Sequence, residues 1–247
     1  MLAYEERQSK GINKFFHSQR YINVLKEFRK KFANSTKTIK ILDIGCGPAK
    51  IFELLNKEFP IEYIGVDLLP EFVEVAIERY NQYPNIEIKL EDITKTIHNY
   101  SDIDVVIALE TCEHILEHKL GQLLVDIRKQ NPKLVIISVP IEVGYPILLK
   151  NVGSFATGYV RHKEYTWKET LYAALNQTWK YKPHGTNHKG FDWKVLRHQI
   201  HQFIGTPKII KMPNAILSTN TMFIVSQQDF VETNKESQYN ILSKIRT

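Results

Sequence analysis

The string Leu42-Asp43-Ile44-Gly45-Cys46-Gly47-Pro48-Ala49 sets a carboxylate and two glycines between an apolar run, Lys40 to Ile44, and a segment of helical spacing, Ala49 to Phe59. Glycines in a strand-to-helix turn let the backbone pass close to a ligand that a Cβ would exclude. The helix start that follows offers free N–H groups and a positive dipole end. Twenty residues beyond Gly47, Asp67 closes the apolar run Tyr63 to Val66, where a carboxylate can accept both hydroxyls of a ribose. Together the two features read as a nucleoside-cofactor site. A dinucleotide fingerprint would put its third glycine at position 50, which is Lys50. A pyrophosphate also gains nothing from Asp43, two residues before the first glycine, whereas an ammonium group does. S-Adenosylmethionine (SAM) carries a ribose, an amino-acid head and no phosphate, and it fits Asp43 and Asp67 better than a nicotinamide dinucleotide.

A second constellation follows the fourth apolar run. Glu110, Glu113, His114 and Glu117 stand at i, i+3, i+4 and i+7, which predicts one shared face if the segment is helical. Methyl transfer from a sulfonium needs alignment of acceptor and methyl group and, for an oxygen or nitrogen acceptor, removal of a proton. Histidine is the usual base near neutral pH. Two chemistries are open. His114 acts as base with Glu110 or Glu113 orienting it, or the three side chains ligate a divalent metal. A structural reading stands beside both, with the glutamates solvating a helix start and His114 packed.

Five of the nine histidines fall between 162 and 201. The stretch His184 to Trp193 reads as a glycine-hinged loop entering a helix, and His188 in it is a second candidate base or a contact to a hydroxyl-rich acceptor. H-x3-H without a partner pair or a nearby cysteine makes no zinc site, and no metal is assigned. Arg161, Lys163 and Lys168 stand among Tyr165 and Trp167, a set able to grip phosphate or stack on a sugar, or simply to pack. Cys46 and Cys112 line a pocket or fill core; neither has the flanking groups of a nucleophile.

The elements that must position these residues alternate. Strand-type runs at Lys40–Ile44, Tyr63–Val66, Ile86–Leu90, Asp104–Leu109 and Lys133–Val139 are separated by helical spacings, the last near Lys119–Lys129. This is the βαβ rhythm of a doubly wound parallel sheet, Rossmann-like, which binds ligands outside the carboxyl ends of its strands. Ile22, Leu25, Phe28 and Phe32 predict an amphipathic helix before the first strand. Residues 141–186 lose the rhythm and hold Trp167, Trp179 and five tyrosines, which predicts a partly helical insertion or lid shaping the acceptor site. Phe191, Val195, Leu196, Ile200 and Phe203 predict a further helix, followed by strands near 207–212 and 220–226. The expected organisation is a single domain over 1–227, with 1–37 as a helical cap and 228–247 as a tail.

These motifs resemble those of the class I SAM-dependent methyltransferases, within them the broad group that includes ubiquinone-biosynthesis methyltransferases. The similarity covers about residues 20–140 and is weaker to 226. The D-x-G-x-G loop matches Asp43-Ile44-Gly45-Cys46-Gly47, the ribose-binding acid matches Asp67 with Leu68 against the adenine, and the acid after strand three matches Asp92 followed by Ile93. Leu109-Glu110-Thr111-Cys112-Glu113-His114 is similar to the E-x-x-E-H segment. Departures are Ala49 after a proline as the third small residue of the loop, and Asn131-Pro132-Lys133 in place of a Pro-Gly-Gly turn. The resemblance implies a seven-stranded sheet with its last strand antiparallel, SAM as cofactor, and Arg20 as a candidate partner of the SAM carboxylate. A solvated arginine is the plainer reading of that residue. Small-RNA 2′-O-methyltransferases of the Hen1 type have a similar E-x-x-E-H metal-ligand set completed by a histidine further on, and that resemblance implies His162 or His188 as the completing residue here.

Composition bounds the rest. With 247 residues, 43% hydrophobic and 24% charged, and two cysteines, disulfide-scaffold, collagen-like and disordered classes are excluded. No apolar run reaches the roughly 20 residues of a membrane span, and Glu5 and Glu6 with no apolar run after them do not make a signal peptide, so the expected setting is cytoplasmic. The net charge of +6 divides into +7 over 1–40, −8 over 41–140 and +7 over 141–247, either self-neutralising or a cationic rim for an anionic partner. The expectation is a SAM-dependent methyltransferase acting on an oxygen or nitrogen of a small-molecule or glycan-type acceptor, phosphate- or lipid-linked. A metal-dependent RNA 2′-O-methyltransferase and a non-catalytic SAM-binding module are the alternatives, and a nicotinamide oxidoreductase comes last.

Overall fold

The computed structural model describes residues 11–156, 165–181, 189–214 and 218–231. Helix α1 (Gly11–Phe32) precedes β1 (Ile39–Ile44), α2 (Lys50–Asn56), β2 (Ile61–Asp67), α3 (Pro70–Tyr80), β3 (Ile86–Leu90) and α4 (Ile93–Thr96). Then come β4 (Val105–Leu109), α5 (Glu117–Lys129), β5 (Leu134–Pro140), α6 (Tyr145–Ala156), α7 (Trp167–Ala174), α8 (Trp193–Phe203), β6 (Lys208–Met212) and β7 (Asn220–Ser226). The strands form one sheet in the order β3-β2-β1-β4-β5-β7-β6. The first five are parallel, and β7 runs antiparallel to both β5 and β6. Strand order reverses between β1 and β4, which opens the crevice where such sheets take ligands.

Alternation along each strand divides the core. Ile39, Ile41, Tyr63, Val105, Ile107 and Ile136 face α1, α2 and α3, where Val24, Phe28, Phe52 and Tyr80 cover them. Leu42, Ile44, Ile64, Val66, Val106 and Val135 face α5 and α8, under Leu123, Leu124, Trp193 and Ile200. Asp43 falls on the first face by the same alternation, so the fold drives a carboxylate beneath α1. Pro70 at the start of α3, Asp192 accepting from the Lys194 N–H at 2.9 Å at the start of α8, and a Thr166–Glu169 capping box on α7 set where those helices begin.

Helix faces depart from the spacing-based expectation in three places. On α1 it is Val24 that is buried, with Phe28 and Phe32, while Ile22 is exposed. On α8, Trp193 takes the inward position and Val195 faces out. The segment 110–117 does not form the helix the spacing allows: a 3-10 turn covers Cys112–His114, and α5 starts only at Glu117. Helix α1 is tied to the turn after α2 by Arg29 to Glu58 at 2.7 Å and to the edge strand β6 by Lys208 to Glu27 at 2.5 Å. In the stretch expected as a tail, Phe230 forms a bridge with Gly205.

The ring of Phe52 meets Tyr63, Tyr80 and Tyr83 at centroid separations of 5.4, 5.1 and 5.4 Å and is fully buried. Phe52→Ala leaves a cavity between α2 and the sheet, and urea denaturation is expected to show a loss of about 3–5 kcal/mol. The exposed Lys57→Ala in the same region should stay within about 0.5 kcal/mol of the parent.

Candidate functional site

The turn after β1 is built from backbone bonds. The N–H groups of Gly45 and Cys46 donate to the Val66 carbonyl at 2.8 and 3.1 Å. Asp67, at the end of β2, accepts from the Gly47 N–H through one oxygen at 2.8 Å and from the Leu69 N–H through the other at 2.9 Å. One carboxylate thus holds both turns at the switch point. Gly45 (φ +68°) and Gly47 (φ +53°) do different work. A Cβ on Gly45 would run into the side chain of Thr111, whose Oγ1 donates to the Ile44 carbonyl at 3.0 Å. A Cβ on Gly47 would meet nothing within 4 Å. Of these two glycines only the second opens onto free space, while Gly45 is required by internal packing.

Asp43 is 2% exposed and accepts a hydrogen bond from the buried Tyr63 hydroxyl. Burial pushes its carboxyl up to about 7; Tyr63 pulls the other way, neighbouring Asp67 adds to the rise, and Arg20 opposes it. Arg20 is 6% exposed, so it is not a solvated arginine, and its charge favours the ionised forms of both Asp43 and Glu113. A site that buries two carboxylates beside an unfilled glycine face fits a cationic amino-acid head and a pair of ribose hydroxyls. The residues present therefore suit SAM.

The remaining expected cofactor residues divide. Leu68 is largely exposed at the mouth, and Leu109 is half-buried. Asp92 caps α4, its Oδ1 accepting from the Thr94 N–H at 3.2 Å and the Thr94 hydroxyl at 2.6 Å, which with Lys95 holds its carboxyl below the usual range. Ile93 turns into the core. Cys46 is half-buried, and burial beside Asp43 and Asp67 pushes its thiol up, which suits packing and not nucleophilic chemistry.

The turn after β4 is arranged unlike a helix face. Glu110 has a left-handed backbone (φ +56°), uncommon for a residue with a side chain and typical of functional turns. Its Oε1 accepts from the Ser138 hydroxyl at 2.9 Å and its Oε2 from the Asn220 amide at 2.7 Å, tying β4 to β5 and β7. Glu113 points inward and is 6% exposed; burial, then the charge of Glu110, pushes its carboxyl well up. His114 points outward, with its Nε2 3.9 Å from Glu113 Oε1. Glu117 is exposed on α5. Among the described residues no three of His, Cys, Asp and Glu are grouped to hold a metal. His162, His184, His188, Arg161 and Lys163 lie outside the described residues.

Residue spacing missed Tyr63, Thr111, Ser138, Asn220 and Glu142. Glu142 lies two residues past β5, is 1% exposed, and pairs with Lys150 at 3.0 Å. Its position just beyond a strand's carboxyl end was a sufficient signal. Tyr63 follows from alternation, one strand over from Asp43 in register Asp43–Gly65.

Residues 41–130 match the family model described as a methyltransferase domain. The chain is 26% identical over 140 residues to a small RNA 2′-O-methyltransferase of Drosophila melanogaster, a match covering 50% of this chain and 35% of that protein. The chain thus spans about a third of the curated relative's length. Among solved structures, the methyltransferase domain of the bacterial CtHen1-CN superposes with a TM-score of 0.60 at 18% identity, covering 85% of this chain and 99% of that one. Magnesium protoporphyrin IX methyltransferase from Synechocystis PCC 6803, solved with bound SAH, gives 0.59 at 12% identity over 90% and 91%. At these identities the likeness is one of fold.

Two predictions follow from the loop. Gly45→Ala should destabilise the fold by several kcal/mol through Thr111 and its positive φ, whereas Gly47→Ala should cost only about 1–2 kcal/mol and abolish cofactor binding by calorimetry. Asp43 binds a proton in the folded state between its ordinary 3.8 and about 7, so stability falls as pH rises through that window and then levels. Chemical denaturation of Asp43→Asn across that range should lose this slope; an unchanged slope would place the titration elsewhere.

Proposed function

The chain carries a class I SAM-dependent methyltransferase domain, and we propose that it moves a methyl group onto an oxygen or nitrogen of a hydroxyl-bearing small metabolite or a glycan- or lipid-linked acceptor. The observation carrying the cofactor reading is the burial of Asp43 and Asp67 at the ends of β1 and β2, with Asp67 bonded to the N–H of Gly47, whose missing Cβ leaves open space. In this reading Asp43 takes the ammonium of the cofactor, Asp67 its ribose hydroxyls, Leu68 its adenine face, and Arg20 stands toward its carboxylate. Asp92 and Leu109 complete the wall. The chemistry supplied by SAM when bound is an electrophilic methyl carbon on a positively charged sulfur, open to in-line displacement.

On the acceptor side, burial pushes the Glu113 carboxyl well up, which favours its neutral form beside the sulfonium end. His114, exposed next to it, takes the acceptor's proton as the new bond forms. Glu110 holds the turn in place through Ser138 and Asn220 and acts as a positioning residue.

A second reading is favoured by the small-RNA relative. There the acceptor is an RNA 2′-hydroxyl, and Glu110, Glu113 and His114 ligate a divalent metal with His162 or His188. Each oxygen of Glu110 accepts one hydrogen bond and keeps a lone pair for a metal, but Glu113 is buried while His114 is exposed, so this reading needs the turn to rearrange around the metal.

The test is methyl-labelled SAM incubated with fractionated extract, with and without a chelator. Label in small-molecule, glycan or lipid fractions that survives the chelator supports the main reading; label in RNA that the chelator removes replaces it with the second. SAM bound with no label transferred anywhere would leave a binding module. Asp67→Ala should weaken SAM binding about 10- to 100-fold, and His114→Ala should lower turnover about 100-fold or more with SAM binding unchanged.

A further inference from the structure

The segment after β5 has an interior and an outer face of different chemistry. Inside, Ile147, Tyr165, Ala173 and Tyr181 are buried together. Lys189 reaches Glu169 at 2.8 Å and lies over the rings of Tyr165 and Tyr181 at 5.4 and 5.8 Å. Outside, Trp167, Leu171 and Leu175 stand at i, i+4 and i+8, one stripe along α7 and its C-cap, with exposures of 66, 54 and 57%. Trp179, four residues on, is 76% exposed. Tyr145 and Leu148 of α6, three residues apart, are exposed as well. These six lie between positions 145 and 181, close in the chain to one another. Apolar side chains gathered in this way mark an interaction surface.

We propose that this face docks on an anionic lipid surface, with Trp167, Leu171, Leu175 and Trp179 entering the headgroup boundary. Charge selects this occupant. Lys168 and Lys180 both stand over the ring of Tyr172, at 5.9 and 5.0 Å, so two cations gather beside the stripe. The one acid between 165 and 181, Glu169, is held by Lys189 and by the Thr166 cap. Tryptophan with leucine on one side and lysine on the other is the pattern of a surface-lying amphipathic helix, each lysine near an anionic surface adding about 1 kcal/mol. A second copy of the chain would set Lys168 and Lys180 against themselves across a two-fold interface. A polyanionic RNA strand would gain from the lysines and tryptophans and leave the two leucines without a partner. No helix of the described residues is long and apolar enough to cross a membrane, and the contact proposed is one of surface. It holds whichever acceptor is methylated, because it needs neither cofactor nor turnover.

The experiment is co-sedimentation of the full chain with phosphatidylcholine vesicles, with and without phosphatidylglycerol, read alongside tryptophan emission. Two of the three tryptophans are exposed on this face and Trp193 is buried, so docking should shift emission to the blue. Expected are binding to the phosphatidylglycerol vesicles that salt weakens, little binding to phosphatidylcholine alone, and about tenfold weaker binding for Lys168→Glu/Lys180→Glu. Leu171→Ser/Leu175→Ser should weaken binding similarly and keep SAM affinity, which shows the variant folded. The proposal is overturned if no vesicle binds, if single-stranded RNA in place of vesicles quenches the exposed tryptophans, or if the chain instead forms a dimer that Leu171→Ser/Leu175→Ser dissolves.

Discussion

The carboxylate of Asp67 holds the site together. One oxygen takes the Gly47 N–H and the other the Leu69 N–H, so the turn after β1 and the turn after β2 are fixed to one rigid group at a strand end. Gly47 keeps its open face because this bond sets its backbone, and Leu68 is left at the mouth because the residue after it is pinned. The main chain supplies the donors, and the Thr111 side chain packed on Gly45 closes the loop from the other side. Two glycines with positive φ stand in this loop, and the N-cap of α2, Ala49, is itself left-handed (φ +53°).

Around that centre the chain buries an unusual amount of acid. Asp43, Glu113 and Glu142 are all below a tenth exposed, and unpaired carboxylates in such places cost stability unless they stay neutral or gain partners. Each is managed differently. Glu142 has Lys150 at 3.0 Å; Asp43 has the Tyr63 hydroxyl and the nearby Arg20 charge; Glu113 is pushed well up by its burial. Helix α1 matters here beyond its apolar cover of Val24 and Phe28, because it brings Arg20 over the acids. The N-terminal helix and the cofactor end are therefore electrostatically one unit, and the ion pairs at Glu27 and Arg29 hold the helix where its arginine is useful.

Much of this was legible from residue order. The five parallel strands, the two late strands and the glycine turn follow from period-two and period-3.6 patterning with turn chemistry, and Asp43 and Asp67 stand out by position. Three kinds of feature escaped. Val24 and Trp193 replaced Ile22 and Val195 on their helix faces because neighbouring apolar residues offer several plausible stripes and tertiary contact chooses among them. Gly45 and Gly47 look alike in the string, yet only the distant Thr111 shows that one is packed and the other open. Ser138 and Asn220 are ordinary strand residues until the sheet order brings them to Glu110, 28 and 110 positions away. Pairings of that range depend on strand order, which local pattern does not contain.

The turn after β4 shows how a helical spacing can mislead and what replaces it. Glu110 spends both oxygens on the neighbouring strands, and its left-handed backbone turns the chain away from the β4 direction. A helix could not begin there without breaking those bonds. The next residues take a 3-10 turn, in which consecutive side chains diverge, so Glu113 goes into the interior and His114 to the surface. The four residues that shared a face on a helical wheel acquire separate places: tie, buried acid, exposed imidazole, helix start. Asp43 and Asp67 sit on rigid strand ends, whereas Glu113 and His114 sit on a short turn. The sheet thus fixes the first pair by register, while the second pair depends on how one turn leaves its strand.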